Sequence, residues 1–264
     1  MALIKCDYYS ETLGISTSMT VILPQRTFSQ IGMEGAAGSA KHPTLYLLHG
    51  FSDDDTIWAR RTSIERYVSS LGIAVVMPNL HKSFYTNMEN GDAYWTFLTE
   101  ELPRLARSFF PLSDDPKLNF VAGLSMGGYG AFKWALAYPE RFAAAASLSG
   151  VLDLASERAK PAYDSIKRSF DLIFGDRAVE GSPDDLFELL RRLPMDAELP
   201  ELYQVCGTED FLYEGNVRFR DAIRQSGYPK YRYEEEPGEH TWEFWDKHIQ
   251  SALALFSRKL QERG

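Results

Sequence analysis

The chain has 264 residues, with 28 basic and 37 acidic side chains and a formal charge of −9, a balance that argues against a nucleic-acid or anionic-membrane binder, since both need a basic face. Apolar residues make up 44% and charged residues 25%, enough core material to exclude intrinsic disorder. No apolar run reaches the roughly 18 residues of a membrane helix, and the length fits one α/β domain over 1–264.

Residues 2–9 and 15–23 are rich in β-branched and aromatic side chains around a turn at Leu13-Gly14, which predicts an antiparallel N-terminal hairpin. Pro24 ends its second strand. Residues 25–43 carry Gly, Ala and Ser without a period and read as a surface loop. Short apolar runs then recur at 44–48, 73–77, 118–122, 143–148 and 202–205, with a sixth at 231–234. Such runs fit strands buried on both faces of a parallel sheet. Helical periodicity falls between them. Ile64, Tyr67, Val68 and Leu71 share one face over 63–71, and Phe97, Leu98, Leu102, Leu105 and Phe109 share one over 93–109. Further helical patterns cover 129–138, 217–226 and 245–261. Alternating strands and helices imply right-handed crossovers and one doubly wound, mostly parallel sheet. Residues 151–196 are too long for a simple connection and read as a small, cap-like helical insertion over one sheet edge.

The strongest signal is Gly123-Leu124-Ser125-Met126-Gly127, a G-x-S-x-G pattern between an apolar strand and a helical segment. A serine on so tight a turn needs neighbours without side chains, and Gly123 and Gly127 supply that room. The turn lifts the hydroxyl to a helix N-terminus, where backbone N–H groups favour developing negative charge. In this architecture an acid and then a histidine follow the serine. Only His240 and His248 lie beyond Ser125. His248 falls inside the closing helix, so His240, in the turn Pro237-Gly238-Glu239-His240, is the candidate base. Asp210 follows the fifth apolar run and is the chosen acid, with Glu209 and Asp153 as rivals. The oxyanion donors are expected to be the N–H groups of Met126 and of Phe51, in the loop His49-Gly50-Phe51. No other histidine or cysteine stands at ligand spacing from His49, which reads as a hydrogen-bonding residue of the turn. No phosphate loop, dinucleotide fingerprint or metal motif is present, so neither cofactor nor metal is expected.

Leu47-Leu48-His49-Gly50, Trp58, Met77-Pro78-Asn79, Glu100-Glu101-Leu102-Pro103, Gly123 to Ala131, and His240 with Trp242 resemble the esterase D group. That group holds S-formylglutathione hydrolases, feruloyl and acetyl esterases and bacterial tributyrin esterases. The resemblance is nearest to tributyrin esterases of Gram-positive bacteria, and Asp7-Tyr8-Tyr9-Ser10 and Asp210 to Glu214 extend it over nearly the whole chain. It implies an α/β-hydrolase fold and a cytoplasmic serine carboxylesterase acting on short-chain acyl esters. It assigns Ser125, Asp210 and His240 to a triad and Phe51 and Met126 to the oxyanion hole. No counterpart of the cysteine-containing segment of the glutathione-thioester branch follows His49-Gly50. Thioester and feruloyl or acetyl-sugar hydrolysis stand as alternatives, and a catalytically silent binding protein is the non-enzyme alternative.

Ten aromatics are expected near the site: Phe51, Trp58, Phe84, Tyr85, Tyr94, Trp95, Phe211, Tyr213, Trp242 and Trp245. Trp58, Phe211 and Trp242 are the expected substrate contacts. The insertion is modest and charged, through Asp153, Glu157, Arg158, Lys160, Asp164, Lys167 and Arg168. Bulky rings and no long apolar lid predict a short acyl pocket for a small-molecule ester. Neither nucleic acid nor membrane is an expected partner, and a homo-oligomer is compatible with the sequence. Cys6 and Cys206 are too few for a disulfide framework, and the first residues lack an apolar signal region, so a reducing, cytoplasmic location is expected.

Overall fold

The computed structural model describes residues 1–32, 35–37, 41–160, 166–194 and 197–262. The strands are β1 (Ala2–Ser10), β2 (Ile15–Leu23), β3 (Thr44–Leu48), β4 (Ala74–Pro78), β5 (Asn119–Leu124), β6 (Ala144–Leu148), β7 (Glu201–Gly207) and β8 (Tyr231–Glu236). The helices are α1 (Ile57–Arg61), α2 (Ile64–Val68), α3 (Tyr94–Thr96), α4 (Leu102–Phe109), α5 (Met126–Ala137), α6 (Leu154–Arg158), α7 (Lys167–Phe174), α8 (Leu186–Arg192), α9 (Tyr213–Ser226) and α10 (Trp242–Gln261).

All eight strands form one sheet in the order β1-β2-β4-β3-β5-β6-β7-β8. The hairpin pairs in register from Ala2 opposite Leu23 to Ser10 opposite Ile15. Gly14 closes its turn at φ 66°, a conformation that favours glycine. β2 joins β4 antiparallel, and every pairing from β4 to β8 is parallel. The period of two places successive side chains on opposite faces. Tyr46 and Leu48 of β3 thus face the core under α4, α5, α7, α8 and α9, while Leu45 and Leu47 face the core under α1, α2 and α10. Burial on both faces is why the central strands read as unbroken apolar runs. Among the described residues no helix is long and apolar enough to cross a membrane.

Three features depart from expectation. First, the helix expected over 93–109 is interrupted by a π-turn at Phe97–Glu101. There the Leu102 N–H donates to the Phe97 carbonyl, five residues back. Pro103 has no N–H to give to Thr99, and the Thr99 carbonyl accepts from Arg141 instead, at 2.7 Å. The turn rotates the helix beyond it, so Leu102 and Ala106 are buried while Phe109 is 48% exposed. Second, α1 lies in a segment without a legible period. Third, the insertion covers a face rather than an edge. Phe170 and Phe174 of α7 pack on Phe84, and Phe187 of α8 packs on Phe219 of α9. Its charges are partly internal: Glu157 is buried and pairs with Lys160 at 2.7 Å. Asp164 lies outside the described residues.

Candidate active site

β5 delivers Ser125 at φ 54° and ψ −120°, between the last strand residue and the first residue of α5. Strain of this kind costs about 1–3 kcal/mol and persists only where the surroundings enforce it. Here a Cβ on Gly123 would strike the Gly127 backbone, and one on Gly127 would strike the Leu48 carbonyl. The elbow is also tied to the neighbouring strand, since the Ser125 N–H donates to the Leu148 carbonyl at 2.9 Å.

His240 reaches this hydroxyl from the loop before α10. Its Nε2 lies 3.0 Å from Ser125 Oγ, and its Nδ1 lies 2.7 Å from Asp210 Oδ2. A carboxylate only accepts, so Nδ1 carries the proton and Nε2 is free to accept the serine O–H. The Asp210 side chain is fully buried, and its Oδ1 accepts the Leu212 N–H at 2.9 Å. Both carboxylate oxygens are therefore occupied, which holds the imidazole in one orientation. The two loops meet because Gly207 has no side chain; a Cβ there would strike the Gly238 carbonyl. Glu209, the near rival for the acid, accepts the Gly238 N–H and so braces the histidine loop instead. Asp153 caps α6 through the Ser156 N–H and pairs with Arg218. His248 is buried in α10, with Nε2 2.9 Å from Glu236.

The loop carrying Phe51 is held through three successive carbonyls. The Trp58 indole donates to Leu48 at 3.0 Å, and the Tyr85 hydroxyl donates to His49 at 2.7 Å. The Gly50 carbonyl lies 2.7 Å from His49 Nδ1 and accepts the Asp53 N–H at 3.2 Å. Because the Leu80 N–H donates to His49 Nε2 at 3.0 Å, the proton sits on Nδ1 and is given to Gly50. Burial lowers the His49 pKa to about 4, in keeping with a neutral ring. The Gly50 carbonyl and the Phe51 N–H belong to one planar trans peptide and point in opposite directions. Fixing that carbonyl therefore aims the Phe51 N–H. Met126 is the first residue of α5, so its N–H has no intrahelical acceptor. Phe51 and Met126 both line the cleft that Ser125 and His240 open into, a cavity of about 420 Å³.

Phe51, Phe84, Phe211, Trp242 and Trp245 form aromatic wall in this cleft. The Phe211 ring is 62% exposed and sits 4.6 Å from the His240 ring. Trp58 is not part of the wall. It is 1% exposed, it spends its indole N–H on Leu48, and its ring meets Trp242 edge-on at 5.4 Å. Tyr85 is likewise sealed behind the loop carrying Phe51. Trp95 stacks on Tyr138, Tyr94 meets His81, and Tyr213 bonds to Glu235, all outside the cleft lining. Asp53, Val151 and Ile166 also line the cleft, without any signal in the sequence. Burial raises the Asp53 carboxyl above the usual carboxylate range.

A family model described as "Putative esterase" matches residues 10–256. The chain is 31% identical to an acetyl esterase of Caldicellulosiruptor saccharolyticus, over 98% of this chain and 99% of that one. Among solved structures, the substrate-bound fluorophosphonate-binding serine hydrolase F of Staphylococcus aureus superposes with a TM-score of 0.86 at 36% identity, covering 97% of this chain and 98% of that one. The S-formylglutathione hydrolase apoenzyme of the same species gives 0.83 at 36% identity, with the same coverage. With a strained serine at the elbow of an eight-stranded, mostly parallel sheet and these relatives along nearly its full length, the chain belongs to this esterase family and is a serine carboxylic ester hydrolase of the α/β-hydrolase fold.

Proposed function

We propose that the protein hydrolyses short-chain acyl esters, acetyl to butyryl, through an acyl-enzyme on Ser125. The observation that carries this reading is the hydrogen-bonded line Ser125–His240–Asp210 beside the Phe51 and Met126 N–H groups in one cleft. His240 takes the serine proton as Oγ attacks the ester carbonyl. The two N–H groups receive the negative charge on the carbonyl oxygen, where each donor contributes about 10²–10³ in rate. His240 then protonates the leaving alcohol, water adds to the acyl-enzyme along the reverse path, and the acid departs. Aromatic rings around the cleft support a short acyl site, as does the acetyl esterase relative. The test is a quenched turnover of p-nitrophenyl acetate followed by peptide mass mapping. An acetyl group on Ser125, absent in Ser125→Ala, supports the reading; turnover without any covalent adduct under rapid quench would sink it.

A second reading rests on the S-formylglutathione hydrolase relative. The same acyl chemistry serves a thioester, and the thiolate leaves more readily than an alkoxide. Comparing kcat/KM for S-formylglutathione with that for p-nitrophenyl acetate and butyrate decides between the two.

A further inference from the structure

The catalytic cleft carries a charge that the triad does not use. Among the described residues that line it, Asp53 is the single carboxylate, and no lysine or arginine is present. The carboxylate stands close to the elbow. A Cβ on Gly50 would lie 2.8 Å from Asp53 Oδ2 and equally 2.8 Å from Leu124, the residue before Ser125. The peptide that joins Gly50 to Phe51 is the one carrying the proposed oxyanion donor.

The surroundings of Asp53 do not neutralise it. Its partly buried side chain forms no ion pair among the described residues. Burial opposes its charge, while the Gly50 N–H and, more weakly, Arg61 favour it. Asp54 adds negative charge beside it, and that carboxylate is itself taken up by the Thr56 N–H and hydroxyl. Lys82 lies over the Phe51 ring at 5.2 Å, outside the lining. Behind His240, Asp210 supplies a second carboxylate. A negative charge in this place opposes the oxyanion of every substrate alike, so it lowers no barrier for the reaction itself. It can, however, separate one substrate from another by the charge each carries, and repulsion of that kind is a common source of specificity.

We infer that Asp53 is a specificity-determining residue that turns away esters bearing a carboxylate near the reacting bond and favours neutral or cationic ones. The inference rests on ester hydrolysis at Ser125. In a partly wet cleft, a fixed charge about 8 Å from a charge on the substrate changes kcat/KM by at least about threefold. S-formylglutathione, a net anion at neutral pH, falls on the disfavoured side.

The probes are three aryl acetates that differ in their para group: 4-acetoxybenzoate, 4-acetoxybenzamide and (4-acetoxyphenyl)trimethylammonium, assayed at pH 8 and low ionic strength. Their intrinsic reactivities differ. The readout is therefore kcat/KM of each charged ester divided by that of the amide, compared between proteins whose thermal midpoints show them folded. In Asp53→Asn, which keeps the shape and removes the charge, the anion ratio should rise at least about threefold and the cation ratio should fall by a similar factor. Asp53→Ser should move both ratios the same way. Glu198→Gln makes the same change in net charge at an exposed position before β7, at the far end of that strand from Gly207, and should move neither. Ratios that stay fixed in both Asp53 variants, or that shift equally in Glu198→Gln, would overturn the assignment. Hydrolysis of 4-acetoxybenzamide that survives in Ser125→Ala would instead overturn the Ser125 reading, so the two failures are told apart.

Discussion

At the scale of single residues, Ser125 has little room for substitution without loss. Ser125→Ala removes one oxygen from a strained position, so turnover should vanish while the thermal midpoint holds. A fluorophosphonate should add to the native protein at Ser125 and leave the alanine variant unlabelled; intact mass shows either outcome. Asp210→Asn should keep the geometry but favour the wrong His240 tautomer, at a cost on the order of 10⁴ in kcat. Asp153→Asn and Glu209→Gln should cost far less, because the first touches α6 and Arg218 and the second only braces Gly238. Steady-state kinetics on the three variants tests the ranking. His49 carries a pH prediction. The unfolded chain protonates this ring near the ordinary value of 6.5, whereas burial lowers the folded value to about 4. Below pH 6.5 the unfolded state therefore binds the extra proton, and stability falls as pH drops toward 4 before this contribution levels off. The span amounts to roughly 3 kcal/mol. Urea unfolding at pH 7 and pH 4.5 should show a smaller loss in His49→Gln than in the native protein. The same variant should lose up to about 10²-fold in kcat with little change in KM, since the Phe51 N–H is no longer aimed.

At the scale of elements, α5 links the elbow to the insertion through a buried ion pair. Lys133 Nζ, 2% exposed, donates to Asp184 Oδ1 at 2.6 Å and to the Tyr85 carbonyl at 2.9 Å. Burial pulls the Lys133 pKa below the ordinary value, against the pull of Asp184. Burial pushes Asp184 upward, but Lys133 and the Thr86 hydroxyl outweigh it and hold the carboxyl low. Tyr85 in turn clamps the His49 carbonyl, so the pair supports the loop carrying Phe51 as well as the insertion. Lys133→Met leaves the buried Asp184 carboxylate with Arg177, 3.8 Å away, in place of its direct 2.6 Å partner and should cost up to about 3–5 kcal/mol in denaturant unfolding. Lys133→Met/Asp184→Asn removes both charges and should recover much of that loss. A double variant no more stable than the single one would show that the pair is not what holds the insertion.

For the whole molecule, the open question is acyl size. The cleft holds about 420 Å³ and is walled by Phe51, Phe84, Trp242 and Trp245, with Phe84 backed by Phe170 and Phe174 of the insertion. Each methylene that fits adds about 0.8 kcal/mol of burial. Once the site is full, a further one must displace packed rings at about 1–3 kcal/mol. Values of kcat/KM for p-nitrophenyl esters should therefore rise from acetate toward butyrate and drop steeply by octanoate. A rate on octanoate equal to that on butyrate would identify an open groove.

The parallel sheet and the elbow were legible because both are local. Strands buried on two faces must be apolar throughout, and a serine at φ 54° demands glycine on either side within five residues. The choice of Asp210 rests on its strand against Asp153 and on its shorter side chain against Glu209, and the structure separates the three by what each carboxylate touches. Less was legible wherever the determining contact spans the chain. Trp58 reads as a substrate contact because nothing local shows its indole turned back to Leu48, and Tyr85 reads only as one aromatic near the site because nothing local joins it to His49, 36 residues away. The π-turn hid for a related reason: Pro103 sat in a helical pattern, but the partner for the carbonyl it leaves open, Arg141, lies 42 positions from Thr99. A sequence states which groups need partners. Only the packed chain decides which partners they find, because those pairings depend on distances set by every element at once.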